Sequence, residues 1–471
     1  MFGFSARSIS NILFWVTRKK WLILAFLLSI SFFYFPSPEG LSPEGHRTLI
    51  IVGVALVLII SESIPLPAVA ILILVMEVIL GVDDADGVAS SFMSDAVFFI
   101  MGSLMLAVAL VNQGLDKRLA LTVINITGNK TWRIILGFVA ISALLSSFIG
   151  EHTVGAMMLP VVLALIRNAG LSTNKATKLS TLLLFSIAYG CAIGSIGTPS
   201  GGGRNVIMIG YISEFGMGTI SYLDWMKFAY PMLLIEIPIV ASILWYSFTP
   251  EQKIMDSSVR KLKVKVAKTG RLTANQKLAI VIFFFVFLGW IFLSPIVGLG
   301  IVALSGVFLY LSFGLIEWRE INRSTNWGVI LLFGSAISLG IQMKETGAAL
   351  WVAEQTLYYL NIILKDVTIV RWFVSVIITG LLTNLLSSAG TVAVLGPIIL
   401  DMGGEPIVMG IMTSIASAFA YLTVVASPTC MIIHSTGLIK SSDYFKAGWK
   451  LFIISVLLLL IISTFYWPML L

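Results

Sequence analysis

The chain has 471 residues, 58% hydrophobic and only 11% charged, which leaves too little polar surface for a water-soluble fold of this length. Repeated apolar runs of roughly 20 residues match helices that cross hydrocarbon, and weak period-2 alternation argues against a barrel, leaving helices to satisfy their own backbone in lipid. The formal charge is +7, but Lys and Arg are spread through short loops between apolar runs, a pattern of membrane topology rather than a nucleic-acid patch.

The first run, Trp21 to Phe35, follows Arg18-Lys19-Lys20 with no small-residue cleavage site behind it and reads as the first span. Further spans fall near 47–61, 65–82 and 93–112, then a hairpin near 132–168, then spans near 179–216 and 226–247. After a basic loop come spans near 277–293, 297–316 and 328–342, a second hairpin near 368–402, and spans near 406–438 and 448–468. The expected fold is an all-α polytopic membrane protein with about 11 transmembrane helices plus two re-entrant hairpins. With the N-terminus cytoplasmic, Lys117, Arg118, Lys130, Arg133, Arg167, Lys175, Lys178, Lys253, Arg260, Lys261, Lys263, Lys265, Lys268, Arg271, Arg319 and Arg323 all lie inside, while Asp83, Asp84 and Asp86 lie outside. That agreement requires each hairpin to enter and leave on one face, the first from the cytoplasm and the second from outside. The C-terminus then ends outside.

The two halves share an ordered set of short matches. Phe98-Phe99-Ile100-Met101-Gly102-Ser103 pairs with Ile330-Leu331-Leu332-Phe333-Gly334-Ser335, and Thr153 to Pro160 with Thr391 to Pro397. Gly197-Thr198-Pro199 pairs with Ala426-Ser427-Pro428, and Asp224-Trp225-Met226-Lys227 with Asp443-Tyr444-Phe445-Lys446. By the span count the halves have opposite topology, and inverted repeats characterise secondary transporters, with the site near the midplane. A duplication in a protein that moves nothing is the blander alternative.

Each hairpin turns at small or polar residues, Gly150-Glu151-His152-Thr153 and Ser387-Ser388-Ala389-Gly390-Thr391. The spans at 179–216 and 406–438 are interrupted, at Gly197 to Asn205 by a glycine run and a proline and more mildly at Ala426 to Cys430. Such breaks create helix N-termini at membrane depth that attract anions, while opposing C-terminal carbonyls suit cations. Arg204 adds a forked cationic donor suited to carboxylate, sulfate or phosphate, or else pairs structurally with Glu151. Glu151-His152 lacks the HExxH spacing of a zinc hydrolase; the pair either carries protons or holds the tip shut. Cys191 and Cys430 form no ligand cluster. Glu62, Glu77 and Glu236 are given no transport role, and Trp225 and Tyr444 are expected to anchor span ends at the interface.

From Glu62-Ser63-Ile64-Pro65-Leu66-Pro67 through Gly114-Leu115-Asp116-Lys117-Arg118-Leu119-Ala120 to the last span, the chain resembles the divalent anion/sodium symporter family, whose members carry dicarboxylates, citrate or sulfate. The resemblance implies a homodimer in which a scaffold holds the protein contacts and a transport domain bearing both hairpins moves as an elevator. In that family each tip carries Ser-Asn-Thr ten residues before a proline; counting back from Pro160 and Pro397 gives Gly150-Glu151-His152 and Ser387-Ser388-Ala389 here. Ser146 and Thr383, one turn earlier, keep the hydroxyls that help hold sodium in the family. Loss of both asparagines, with Arg204 and His152 adding positive charge, leaves Na+ coupling, H+ coupling and counter-anion exchange open.

The resulting expectation is a secondary active transporter for a small anion in the plasma membrane, with no catalytic residues and no cofactor beyond Na+. Substrate contacts are assigned to Ser387, Ser388, Thr391, Thr198, Ser200, Arg204, Asn205, Ser427, Thr429, His152 and Thr153. Ser146, Gly150, Glu151, Thr383 and Leu386 are assigned to the coupling ion. Residues 1–125 and 251–345 form the scaffold (the latter with the basic loop), and 126–250 and 346–471 the two transport repeats. An anion channel on the same scaffold and an intramembrane enzyme using Glu151 and His152, with His46 and His434 as the remaining histidines, are the rivals.

Overall fold

The computed structural model describes residues 19–115, 118, 126–169, 176–256, 260 and 271–470. Arg18, Asp116, Lys117, Leu119, Ala120, Lys175, Lys261, Lys263, Lys265 and Lys268, named above, lie outside the described residues. Within them the regular elements are helices, apart from one isolated bridge between Lys130 and Ile254.

The described residues open with α1 (Lys20–Tyr34), α2 (Pro43–Ser61), α3 (Leu66–Ile79), the short α4 (Ala85–Phe92) and α5 (Asp95–Asn112). The first hairpin is α6 (Thr131–Ile149) and α7 (Glu151–Asn168), followed by an interrupted helix, α8 (Lys178–Gly194) and α9 (Gly203–Glu214), and by α10 (Tyr222–Ser247). The second half opens with α11 (Ala274–Phe292), α12 (Leu299–Ser312), the short α13 (Trp318–Ser324) and α14 (Trp327–Glu345). Then come α15 (Ala348–Leu364), a second hairpin of α16 (Val367–Leu382) and α17 (Ser388–Asp401), an interrupted helix of α18 (Pro406–Ala416) and α19 (Pro428–His434), and α20 (Ser441–Phe465). Seven of the described helices, among them α2, α5, α6, α10, α11 and α14, are long and apolar enough to cross a bilayer. Shorter apolar helices include both arms of the second hairpin and the first segments of both interrupted helices.

Local chemistry sets the helix ends. Ser42 caps α2, with Pro43 behind it and its hydroxyl accepting from the Gly45 N–H, and Thr177 with Ser180 forms a capping box at the start of α8. Glu62 is the left-handed C-cap of α2. Gly150 joins α6 to α7 alone; its φ of 88° lets the chain reverse without a Cβ clash.

Helix α8 is the axis of the fold, buried at every residue from Leu179 to Gly194. Its glycines let α6 lie close: a Cβ on Gly190 or Gly194 would meet the carbonyls of Val139 and Ala143 at 2.8 and 2.1 Å. The outer surface is apolar, as lipid contact requires; α1 buries only Ala25 among its residues.

Three features differ from the sequence reading. Helix α15 is absent from it, because Glu354, Gln355 and Asn361 interrupt its apolar run. The second interruption runs from Ser417 to Ser427, not only around Pro428, although Ser417 to Val425 contains no glycine or proline. Trp225 and Tyr444 are fully buried rather than interfacial. The Trp225 indole donates to the Ile196 carbonyl (2.9 Å) and the Tyr444 hydroxyl to the Cys430 carbonyl (2.7 Å), so each matched aromatic secures one interrupted helix.

Candidate functional site

The hairpin tips and breaks meet because each frees backbone groups that the other satisfies. On the first hairpin, Ser146 Oγ donates to the Cys191 carbonyl near the end of α8 (2.9 Å). On the second, Thr383 Oγ1 donates to the Ser417 carbonyl at the end of α18 (2.7 Å). The two matched hydroxyls make the same contact, each from its own hairpin to its own interrupted helix.

Across the halves, Thr429 Oγ1 donates to the Glu151 carbonyl at 3.0 Å. Its methyl side lies against Gly155, where a Cβ would come within 2.5 Å. Asn205 ties the first break together by donating to the Ser195 and Thr198 carbonyls (2.9 and 2.8 Å), and it accepts from Ser414 of α18 at 2.9 Å. The interrupted helices are therefore cross-linked behind the tips by buried polar contacts.

In front of them lies a cavity of about 340 Å³. Its wall brings together Gly150, Glu151, His152 and Thr153 from the first tip, Pro199 to Arg204 from the first break, Ser387 to Ala389 from the second tip, and Pro428. Matched residues of α5 and α14, Ile100 and Leu332, complete the apolar side, with Ser324, Thr325 and Asn326 also on the wall. Helices α7, α9 and α17 all begin here, so their first N–H groups, which have no partner within the helix, surround one space. Aligned peptide dipoles make each such end equivalent to roughly half a positive charge.

Of the expected site residues, Gly150, Glu151, His152, Thr153, Ser200, Arg204, Ser387 and Ser388 line the cavity. The others are not on its wall. Thr198 donates to the Ser147 carbonyl and lies 3.0 Å from the Ser200 hydroxyl. Thr391 donates to the Ser387 carbonyl at 3.1 Å, Ser427 caps α19, and Leu386 is buried just before the Ser387 cap. The second turn itself lies at Thr383 to Ser387, with Ser388 to Thr391 forming the first turn of α17.

Arg204 and Glu151 are the charged members of the wall, 2% and 6% exposed. One Arg204 nitrogen stands 3.9 Å from Glu151 Oε1, another donates to the Ser195 hydroxyl, and Nε has no partner among the described residues.

Sequence reasoning missed Asn384 and Tyr222. The Asn384 amide donates to the Gly380 and Phe419 carbonyls (2.8 and 3.0 Å) and accepts from the Leu422 N–H (2.8 Å), holding the second tip onto the unwound 417–427 stretch. Its signal was available as a lone amide in an apolar run. Tyr222 fixes Ser200 through a 2.8 Å hydroxyl contact. Glu77 and Glu236, given no role above, are fully buried and accept hydrogen bonds from Ser338 and Ser455 away from the cavity.

Residues 16–471 match a family model described as the sodium:sulfate symporter transmembrane region. The sodium-dependent dicarboxylate transporter SdcS of Staphylococcus saprophyticus is 26% identical over 477 residues, covering 95% of this chain and 91% of that protein. The sodium-dependent high-affinity dicarboxylate transporter 3 of Caenorhabditis elegans is 26% identical over 418 residues, covering 79% and 74%. Among solved structures, Neisseria gonorrhoeae MtrF, presented there within a class of antimetabolite efflux pumps, superposes with a TM-score of 0.57 at 11% identity, over 96% of this chain and 94% of that one; this is similarity of fold alone. With a match that spans nearly the whole chain, this protein belongs to the sodium:sulfate symporter, or divalent anion/sodium symporter, family and is a multi-pass membrane transporter rather than an enzyme.

Proposed function

We propose that this chain is a secondary active transporter for a small divalent anion of the dicarboxylate, citrate or sulfate class, bound in the cavity between the two hairpin tips. The observation that carries the reading is the convergence of three helix N-termini, two of them from tips in opposite halves, on one space. A cavity of about 340 Å³ lies at the low end of the ligand-pocket range of about 300–1,000 Å³, which suits a small anion. Ser200, Ser387, Ser388, Thr153 and His152 supply directional donors, and Arg204 contributes charge from the wall. Thr198, Asn205, Thr391, Ser427 and Thr429 keep those groups in place. Where hairpin meets interrupted helix, Ser146, Gly150 and Glu151 in the first half and Thr383 and Leu386 in the second form the two settings for the positive charge that coupling requires.

In this reading residues 126–250 and 346–471 are inverted transport repeats that move together as an elevator. Residues 1–125 and 251–345 form the scaffold of a homodimer, with the N-terminus cytoplasmic and the C-terminus outside. Relatives named as sodium-dependent dicarboxylate transporters support the substrate class and make Na+ the first co-substrate to test. The experiment is counterflow of labelled succinate, citrate and sulfate in proteoliposomes. Saturable exchange of at least one is expected. No flux of any of them under Na+, H+ or counter-anion gradients would refute the reading, and single-channel currents without counterflow would mark a channel.

A further inference from the structure

We propose that the Arg204 guanidinium is the protein's own cation at the first hairpin, standing where a coupling metal ion would otherwise be held, so that this half of the site needs none. The inference rests on the reading of the chain as a coupled anion transporter and concerns how that coupling is divided between the halves.

The surroundings of the guanidinium are built for positive charge. Helix α8 ends at Gly194 and turns its C-terminal end, the negative end of its dipole, toward the break. A Cβ placed on Gly201 would lie 2.8 Å from the Ser195 carbonyl oxygen, 2.9 Å from that of Ser147 and 3.2 Å from that of Ser146, so three oxygens converge on one point. A Cβ on Gly202 would touch both the Ser195 carbonyl and the guanidinium carbon of Arg204, each at 3.2 Å, which sets the charge beside that oxygen cluster. The Glu151 carboxylate closes the set at 3.9 Å.

Arg204's own helix does not explain its position. It is the second residue of α9, at the positive end of that dipole, where a cation is disfavoured. What holds it there is the opposing end of α8 together with Glu151. Carbonyl oxygens and a carboxylate are the ligands a hard cation takes, and a guanidinium standing beside them would repel a second positive charge. The residues of the first hairpin therefore do not fit a metal ion while Arg204 is present. At the corresponding place in the second half stand Ser427, Pro428 and Thr429, with no cation among them.

The test uses the full-length protein in detergent, with Na+ exchanged against N-methylglucamine at constant ionic strength and no anionic substrate, so that it does not depend on what the protein carries. Arg204→Ala is expected to gain a saturable rise in Tm with Na+ that the wild type lacks, and adding Glu151→Gln to it is expected to abolish the gain. Arg204→Ala showing no more Na+ response than the wild type would overturn the proposal. If Arg204→Ala does not fold, the wild type decides: no Na+ response, or one unchanged by Glu151→Gln, supports the proposal, and a response that Glu151→Gln removes overturns it. Absence of anion flux alongside the gained Na+ response would sink the transport reading while leaving this one standing.

Discussion

Replacing Glu151 by Gln removes the carboxylate that faces Arg204 across 3.9 Å inside the protein. At that separation and an effective dielectric near 20 the Coulomb attraction is about 4 kcal/mol, in line with the roughly 3–5 kcal/mol lost when one partner of a buried pair is deleted. Besides Glu151, the identified side-chain partner of Arg204 is the neutral Ser195 hydroxyl, and its Nε is unpartnered among the described residues. The first-turn position of Glu151 in α7 adds a favourable dipole contribution of about 0.3–1 kcal/mol that the glutamine also forfeits. Equilibrium unfolding in mixed SDS and dodecylmaltoside micelles measures this. Glu151→Gln and Arg204→Gln are each expected to lose about 3–5 kcal/mol, and the double variant to lose at least about 2 kcal/mol less than the sum. Strict additivity would refute the idea that the two groups neutralise one another.

Gly194→Ala drives a methyl to 2.1 Å from the Ala143 carbonyl and 2.2 Å from Ser146 Oγ. Overpacking and loss of the Ser146 hydrogen bond are together expected to cost about 2–4 kcal/mol, whereas Gly53→Ala, with nothing within 4 Å, is neutral or slightly stabilising in the same melts. Asn384→Leu deletes three buried hydrogen bonds at the second tip and is expected to cost about 3 kcal/mol while raising amide exchange across Ser417 to Ser427. Unchanged exchange there would show that the unwound stretch does not depend on that amide. Ser387→Ala removes the cap of α17 and is expected to cost about 1 kcal/mol and weaken anion binding, read as a higher half-saturation concentration in counterflow.

The hairpins and the first break were legible because glycine, proline and hydroxyl residues interrupt runs that are otherwise uniformly apolar, and an interruption in lipid has few structural meanings. The second break was underestimated for the converse reason. Between Ser417 and Val425 no residue forbids a helix, and the chain is unwound there by partners distant in sequence, Thr383 and Asn384. Trp225 and Tyr444 carried the right signal as a matched pair but the wrong assignment. Aromatic residues near span ends favour the interface on average, while these two are needed inside to hold broken-helix carbonyls. The pairing of Arg204 with Glu151 was open from sequence alone, since it depends on how the first tip and the first break meet in space.

The account's central claim is that one anion sits between both tips. Native Cys191 and Cys430 are buried, so His152→Cys and Ala389→Cys, placed singly on opposite hairpins at the cavity wall, each give a clean reporter for a small maleimide. Alkylation rates measured against rising concentrations of whichever anion supports counterflow are predicted to fall at both positions with the same half-maximal concentration. A transported anion that protects neither cysteine at saturation, or only one of them, would contradict the account.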